Sequence, residues 1–388
     1  MEKKVNILTP GKFHHFDLAF QLNRFNLLNN IWTGYPKFKF KNINDKLLFS
    51  KIKSSGYEQI LIFLLQKIFK DKDFSLINKL NELKIFKLNK KIIKNSKKSN
   101  ILIGSSGLSL DAALHYKKNK KIFICDCGIG HAAYVNQIMQ DEYRKWNLRS
   151  FKPNKKFISQ SLKEYEIADL ISVPSKFVYD SFIANGVVAE KLFLNPYGTN
   201  TKNFYPITIN KNQNEFNVLF IGNVSLRKGF LYLLKAFDKL NYSKKKLTVI
   251  GPIQKEIKSI LNNFNLNKVN FLGPVPNIKL NHFLNCADVL VHPSIMEGFS
   301  IALIEAYSTG IPIIATKNTG AENLINFSKS CYLVNPFSHA EILDKLNLLI
   351  DLKSNMESKK KITPIKRELI DWNTYGDNWQ KKINSLVI

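Results

Sequence analysis

Short apolar runs alternate with longer amphipathic segments along the carboxy-terminal half of the chain. The runs have the length of buried strands, and they are FNVLFIG (216–222), LTVIG (247–251), VNFLG (269–273), DVLVHP (288–293), IPIIAT (311–316) and CYLVNP (331–336). Segments with helical character lie between them, for example at 229–240 and 339–350. Strands that alternate with helices predict a parallel sheet with helices on both faces, and ligands of such sheets bind where strands lead into helices.

The amino-terminal half shows the same alternation with longer interruptions. Its predicted strands and helices are the segments 5–9, 17–25, 100–104, 109–118, 121–125 and 169–174. A chain of 388 residues is too long for one ordinary core, and turn-forming residues cluster at 195–206. We therefore expect an α/β protein with one domain over 1–195 and another over 196–370. Two such domains facing each other leave a cleft for two substrates.

Composition narrows the class of protein without identifying it. The longest apolar run, at 60–65, is too short to cross a bilayer, and the first strand is followed at once by Pro-Gly rather than by a secretory core. Four cysteines without a disulfide framework fit a reducing compartment, so a cytoplasmic location is expected. The net charge of +28 indicates an anionic partner, although lysines on a solvated surface give the same excess.

The segment 84–98 concentrates this positive charge. Ile85, Leu88, Ile92 and Ile93 recur among its lysines at near-helical spacing. The pattern predicts a basic amphipathic helix that docks on an anionic membrane, peripherally on the inner face of the cell membrane. A helix with one core face and one solvated face produces the same pattern, so both interpretations stay open.

The loop IGNVSLRKGF (221–230) has the features of a phosphate site. Gly222 follows a strand and lets backbone amides approach a phosphate, while Gly229 opens a helix whose amino terminus favours negative charge. Arg227 and Lys228 can neutralise a pyrophosphate. An ordinary basic loop is the alternative interpretation of these residues.

The stretch EGFSIALIEAYSTG (297–310) places a carboxylate in an apolar helix. Ser300 is a predicted N-cap and Gly310 a predicted helix end, so the helix covers about 300–309. Glu297 then precedes the helix and Glu305 lies inside it. A buried carboxylate needs hydrogen-bond donors, and a ribose diol supplies two of them. A solvent-facing glutamate is the alternative.

Two loops of the amino-terminal half follow predicted strands. DCGIGHAAY (126–134) places His131 near the carboxyl end of a strand, where a histidine serves equally well as a cap or a packing residue. PGKFHHF (10–16) follows the first strand, and Gly11 would let the backbone approach a reaction centre on the acceptor side.

The E-x7-E spacing of Glu297 and Glu305 lies in a longer stretch, HPSIMEGFSIALIEAYSTGIPIIAT, that resembles the signature of family 4 (group 1) retaining glycosyltransferases. The segments 164–187 and 191–206 also resemble that family, and 371–383 is similar to its final helix. The resemblance implies the GT-B fold, in which two Rossmann-like domains face each other across a cleft. It also implies that the carboxy-terminal helix, 371–388, crosses back to the amino-terminal domain.

The resemblance also implies roles for residues of this chain. Glu305 would bind the nucleotide ribose, Lys228 the phosphates, and Glu297 the hydroxyls of the donor sugar, as a catalytic residue. His131 would be a catalytic histidine of the cleft, near the transferred sugar. The donor would also meet backbone amides of the segment after Glu297, namely Gly298, Phe299, Ser300 and Ile301. The chain departs from the family at Asn223, where many members have an arginine.

We therefore expect a retaining, metal-independent hexosyltransferase. Its co-substrate would be a nucleotide-diphosphate sugar, with no cofactor, and its acceptor a glycan or a lipid-linked molecule of polysaccharide or cell-envelope glycan biosynthesis. A GT-B-fold sugar-nucleotide epimerase is one alternative. A basic, non-catalytic nucleic-acid-binding protein is the other, but no segment resembles a nucleic-acid module, so nucleic acid is not an expected partner.

Overall fold

The computed structural model describes residues 2–11, 13–40, 46–68, 74–148, 151, 153–199, 202–209, 211–212, 214–325, 330–354 and 371–387. Strands of the first sheet are β1 (Val5–Thr9), β2 (Leu28–Thr33), β3 (Ile52–Ser54), β4 (Ile101–Ser105), β5 (Ile122–Asp126), β6 (Leu170–Val173) and β7 (Leu192–Leu194). Those of the second are β8 (Phe216–Ile221), β9 (Lys245–Ile250), β10 (Val269–Gly273), β11 (Val289–His292), β12 (Ile313–Thr316) and β13 (Cys331–Val334).

Helices connect almost all of these strands. In the first half of the chain they are α1 (His15–Arg24), α2 (Lys46–Lys51), α3 (Tyr57–Ile68), α4 (Phe74–Lys94), α5 (Leu110–Lys118), α6 (Ala132–Lys145), α7 (Lys155–Ile167) and α8 (Lys176–Ile183). In the second half they are α9 (Phe230–Lys239), α10 (Lys258–Leu261), α11 (Asn277–Cys286), α12 (Ile301–Thr309), α13 (Glu322–Ile325), α14 (His339–Ser354) and α15 (Trp372–Ser385).

Both sheets are parallel and doubly wound. Their strand orders are β3-β2-β1-β4-β5-β6-β7 and β10-β9-β8-β11-β12-β13. Successive connections therefore change direction beside β1 and β4 in the first sheet, and beside β8 and β11 in the second. Crevices at such switch points, outside the carboxyl ends of the strands, are where open α/β sheets bind ligands.

Burial explains why the apolar runs form strands. All five residues of β1, β4 and β5 are buried, because helices cover both faces of a parallel sheet. Strands β1 and β10 coincide with the predicted runs 5–9 and 269–273. The parallel sheets that the alternation predicts, and the two Rossmann-like units that the resemblance implies, are confirmed.

The last helix returns to the first sheet's helices. Helix α15 packs on α1, and its side chains Tyr375, Trp379 and Ile383 are almost fully buried. Arg24 of α1 forms an ion pair with Asp377 of α15. The predicted crossing of the carboxy-terminal helix back to the amino-terminal half is therefore confirmed.

The structure shows what covers the apolar positions of the basic segment 84–98, for which two interpretations were open. Segment 84–94 belongs to α4, but Leu88 and Ile92 are buried in a core cluster that also contains Leu8 and Trp32. Because Leu88 and Ile92 lie in the protein interior, their side chains are not available to insert into a bilayer. Lys87, Lys90, Lys91 and Lys94 of this segment face solvent, and so does Phe86, which is 47% exposed. Across the described ranges, no helix combines the length and apolar character that a membrane crossing requires.

Candidate active site

Arg227, Lys228 and Glu297 form an ion cluster at the switch point of the second sheet. Lys228 Nζ donates a short hydrogen bond to Glu297 Oε2, and Arg227 Nη1 lies 3.2 Å from the same oxygen. Arg227 also donates to the carbonyl of Met296 at 3.1 Å. The loop after β8 and the loop after β11 are joined by these contacts, so the structure brings together three predicted donor-site residues.

The charges of this cluster are strongly perturbed. Burial alone would raise the pKa of Glu297, but the positive charges of Lys228 and Arg227 outweigh it and lower that pKa to about 2. Burial, aided by Lys228, lowers the pKa of the neighbouring His292 to about 3. At neutral pH the site therefore holds one carboxylate, two cations and a neutral imidazole. The surplus positive charge suits a diphosphate.

Two glycines shape the loop after β8. Gly222 has φ of +146°, and a Cβ placed on it would lie 3.6 Å from Lys228 Cε. Gly229 has φ of +63°, and a Cβ there would stand 1.9 Å from the carbonyl oxygen of Pro293. The close packing of the β8 and β11 loops therefore requires glycine at position 229. Gly222 lines the approach to the Lys228 side chain.

The predicted sugar-binding segment after Glu297 lies in the same place. Gly298, Phe299 and Ser300 are buried, and Ile301 begins α12 with 40% of its surface exposed. Ser300 occupies the N-cap position but forms no side-chain cap hydrogen bond. Its amide donates to the carbonyl of Thr319 at 3.1 Å. The Ser300 amide is therefore already hydrogen-bonded within the protein. The amides of Gly298 and Phe299 are the better candidates for contacts to a donor.

Glu305 lies within α12, and its side chain faces α11. It is 7% exposed, and Asn277 Nδ2 donates to its Oε1 at 2.9 Å. Burial raises the pKa of Glu305 to about 7, against the opposing effect of that hydrogen bond. The predicted solvent-facing alternative is therefore wrong. A carboxylate with one internal donor retains capacity for further donors.

A second polar cluster occupies the switch point of the first sheet. Asp126, the last residue of β5, accepts hydrogen bonds from His14 Nε2 at 2.7 Å and from His15 Nε2 at 3.0 Å. The two imidazoles stack with ring centroids 4.2 Å apart, and His14 stacks at the same distance on Tyr197. Thr9 Oγ1 lies 3.2 Å from His15 Nδ1. The loops after β1 and β5 are thereby held together.

Asp126 is ionised in this arrangement. Its burial disfavours the charge, but His14 and His15 outweigh that effect and hold its pKa well below the usual range. Burial lowers the pKa of His15. Among the described residues, His14, His15 and Asp126 form the one cluster of potential metal ligands, with ligand atoms that all lie within 4.8 Å of one another. They satisfy one another by hydrogen bonds, and independence from metal remains a prediction.

His131 and Gly11 lie at the edges of this region. His131 is the N-cap residue of α6 and is 5% exposed, with its ring against Tyr165 and Phe182 at centroid distances of 5.1 and 5.2 Å. Its environment is that of a packing residue, and its catalytic role stays a prediction. Gly11 accepts from Thr9 Oγ1 at 3.3 Å, in the loop that leads from β1 to His14.

Backbone contacts join the two clusters across the cleft. A Cβ placed on Gly298 would stand 1.7 Å from the carbonyl oxygen of Gly128, so the loops after β11 and β5 touch there. Ser175 Oγ donates to the carbonyl of Gly298 at 2.5 Å. Tyr197 meets Phe299 edge-on, with 6.1 Å between ring centroids. The two halves of the protein therefore meet at this point, with Glu297 on one side and Asp126 on the other.

Sequence reasoning missed four residues of this site. Asp126, His14 and His15 stand in the quoted loops, and Asn277 opens the helix after β10. Knowledge of the strand order would have pointed to Asp126 and the two histidines. Strands β1, β4 and β5 are neighbours, so the loops at their carboxyl ends lie close together. Asn277 carried no such signal, since its pairing with Glu305 depends on how α11 packs against α12.

Comparisons with known proteins agree with this geometry. Residues 202–368 match the family described as glycosyl transferases group 1. The chain is 29% identical over 196 residues to an uncharacterized glycosyltransferase of Methanocaldococcus jannaschii, covering 49% of each chain. It is 30% identical over 212 residues to the capsular polysaccharide biosynthesis glycosyltransferase CapM of Staphylococcus aureus, covering 52% of this chain and 53% of that protein. The chain thus spans about half the length of these curated relatives.

A solved structure resembles the whole chain. HepE of Anabaena in complex with UDP superimposes with a TM-score of 0.68 at 16% identity, covering 99% of this chain and 100% of that one. The fold is GT-B. In this fold two Rossmann-like units face each other, and the Arg227–Lys228–Glu297 cluster and the Asp126 cluster lie on opposite sides of the cleft between them.

Proposed function

We propose that the protein is a retaining, metal-independent glycosyltransferase of family 4. It would transfer a hexose from a nucleotide-diphosphate sugar to a glycan or lipid-linked acceptor in the biosynthesis of a polysaccharide or cell-envelope glycan. The observation that carries the proposal is the joint placement of Lys228, Glu297 and Glu305 around the loops after β8 and β11. In this arrangement Lys228 can bind the diphosphate of a nucleotide donor, and the Glu305 carboxylate can bind its ribose.

Each residue of the donor side has a physical task. The departing nucleoside diphosphate gains negative charge, which Lys228 and Arg227 stabilise most strongly in a site closed to water. To reach the phosphates, Lys228 exchanges part of its contact with Glu297 for a contact with the donor. Glu297, ionised because the same cations lower its pKa to about 2, is then free to accept hydrogen bonds from the sugar hydroxyls.

The acceptor side is assigned to the Asp126 cluster. The ionised carboxylate can accept a hydrogen bond from the attacking hydroxyl and orient it towards the donor sugar held near Gly298. His14 and His15 keep Asp126 deprotonated and fixed in place, because each donates a hydrogen bond to it. In this proposal the proton of the attacking hydroxyl leaves with the departing phosphate, so Asp126 positions the acceptor and forms no covalent intermediate.

UDP-sugars are the first donors to test, since HepE has been solved with UDP. Calorimetry should show binding of UDP to the full chain without added metal. Incubation with each UDP-hexose and a panel of glycan and lipid-linked acceptors should consume the donor only when an acceptor is present. Asp126→Asn should slow this transfer at least tenfold while UDP affinity stays unchanged. Donor turnover without any acceptor would instead indicate an epimerase or hydrolase.

Peripheral association with a membrane is part of the proposal. With Leu88 and Ile92 buried, the attraction would come from exposed lysines of α4, among them Lys90, Lys91 and Lys94. Phe86 beside them is 47% exposed, with Lys90 lying 4.4 Å from its ring centroid. Lysines attract anionic lipid headgroups by charge, which would hold the cleft near a lipid-linked acceptor.

A further inference from the structure

A cavity of about 530 Å³ opens beside the Asp126 cluster. This volume lies in the range of small-molecule sites, which is about 300–1,000 Å³. Its wall is mostly apolar, with side chains from helices α6 and α7 and from the loops after β1, β4 and β5, among them Phe13, Leu108, Ile129, Val135, Phe157 and Ile158. Most of these side chains remain partly exposed. An apolar lining of this size gains free energy when an apolar ligand covers it.

One wall of the cavity is polar. His14, His15, Ser105 and Asp126 lie on it, beside the ring of Tyr197. Tyr197 and Asn136 also line the cavity, and the hydroxyl of Tyr197 and the side-chain oxygen of Asn136 are buried without a hydrogen-bond partner among the described residues. Buried polar atoms are rarely left unpaired in folded proteins. The polar wall therefore offers Asp126, and the unpaired groups of Tyr197 and Asn136 beside it, as partners for a ligand with hydrogen-bonding groups.

The polar wall is also the part of the cavity nearest the donor loop. Gly128 lines the cavity, and its carbonyl oxygen touches Gly298 of the donor segment. A hydroxyl held at Asp126 therefore lies at the boundary between the cavity and the donor side of the cleft. An acceptor bound here would present its reacting group to the donor and its apolar part to the cavity.

We propose that this cavity is the acceptor subsite, and that it selects an amphipathic acceptor with a hydroxylated head and an alkyl chain. The head would hydrogen-bond with Asp126, Tyr197 and Asn136, and the chain would cover the apolar lining between α6 and α7. This inference rests on the proposed function and names the class of acceptor that function requires. It places the preference for a lipid-type acceptor in the fold itself, separately from any attraction to a membrane surface.

Alkyl glucosides below their micellar concentration are the probes for this inference. Calorimetry on the full chain, saturated with UDP, should show that affinity rises from methyl to hexyl to octyl β-D-glucoside. The expected gain is about two- to fourfold for each methylene that becomes buried. Equal affinity for the methyl and octyl compounds would overturn the inference. UDP binding is measured in the same series. If the protein does not bind UDP, that result contradicts only the proposed donor site and not the acceptor subsite.

Matched variants locate the binding. Val135→Phe fills the cavity and should remove most of the gain from hexyl to octyl, whereas Val188→Phe, at a 57% exposed position outside the cavity, should keep it. Tyr197→Phe removes an unpaired buried hydroxyl, so the unliganded protein should hold or gain stability while octyl glucoside binds about fivefold more weakly. A chain-length gain that survives in Val135→Phe, or that both valine variants lose equally, would contradict the assignment.

Discussion

The side-chain amide of Asn277 donates a hydrogen bond of 2.9 Å to the Glu305 carboxylate. The bond joins the first residue of α11 to the second turn of α12, and it explains how a carboxylate persists in an otherwise apolar helix segment. One internal donor offsets only part of the cost of burial, which is why the pKa of Glu305 stays raised, at about 7. A ribose diol would supply the donors that are still missing.

Glu305→Gln should weaken donor binding without harming the fold. The substitution keeps the volume of the side chain but replaces a charged acceptor, and a hydrogen bond to a charged group is worth roughly 1.5–3 kcal/mol. The dissociation constant for UDP should therefore rise about ten- to a hundredfold, while the melting temperature of the unliganded protein holds or rises. Calorimetry and thermal unfolding measure the two effects.

A nucleotide without ribose hydroxyls is the control for this variant. The wild type should bind 2′,3′-dideoxyuridine diphosphate poorly, and Glu305→Gln should bind it no worse. If the variant unfolds, and the protein that survives binds UDP normally, then Glu305 is a structural carboxylate and its assignment to the ribose is wrong.

Donor affinity should depend on pH through Glu305. The folded pKa of about 7 lies above the ordinary 4.5, so folding favours the neutral form. Its contribution to the free energy of unfolding is present below pH about 4.5 and is lost as the pH rises to about 7. The affinity for UDP has the opposite dependence on pH, because the ribose is bound by the ionised carboxylate of Glu305. UDP affinity should rise between pH 6 and 8 in the wild type more than in Glu305→Gln, and parallel profiles would contradict this.

Lys228→Ala should separate phosphate binding from nucleoside binding. Lys228 supplies a charge for the diphosphate, so its loss should weaken UDP binding at least tenfold and leave uridine binding nearly unchanged. Lys255→Ala, at an exposed lysine of the same domain, is the matched control and should bind both ligands normally. Equal losses for UDP and uridine would mean that Lys228 acts on the structure of the loop rather than on phosphate.

Tyr232→Phe should loosen a contact between the two halves of the protein. The Tyr232 hydroxyl on α9 donates to Glu142 on α6, with 2.9 Å to Oε1 and 3.1 Å to Oε2, and Trp146 Nε1 donates to the same carboxylate. Removing the hydroxyl should lower the free energy of unfolding by about 1–3 kcal/mol. Tyr205→Phe, at a 46% exposed tyrosine, should change it little. Denaturant unfolding of both variants checks the difference.

Binding to lipid vesicles should follow charge rather than apolar insertion. Vesicles with anionic lipid should bind the protein at low salt, and 0.5 M salt should release it, because exposed charges are screened. Replacing Lys90, Lys91 and Lys94 together with glutamine should reduce the binding severalfold. Equal and negligible binding to neutral and anionic vesicles at low salt would remove the membrane from the proposal.

The sequence by itself determined the strand-helix alternation and the donor loops. Apolar runs such as 5–9 became strands at the same residues, because a strand buried on both faces has an apolar pattern that few other structures share. Arg227 and Lys228 were predicted from the glycine-framed loop after a strand, and Glu297 joined them as a donor-site residue through the family resemblance. Local pattern and the family resemblance were sufficient for these features.

Only the tertiary structure decided which polar residues complete the site. Asp126 and His14 are 112 positions apart, and Asn277 and Glu305 are 28 apart, so no local pattern relates them. The same applies to the lysine-rich segment of α4, whose two interpretations differ only in what covers Leu88 and Ile92. Periodicity shows that a helix has an apolar face, but the packing of distant segments determines whether that face meets the core, a ligand or a membrane.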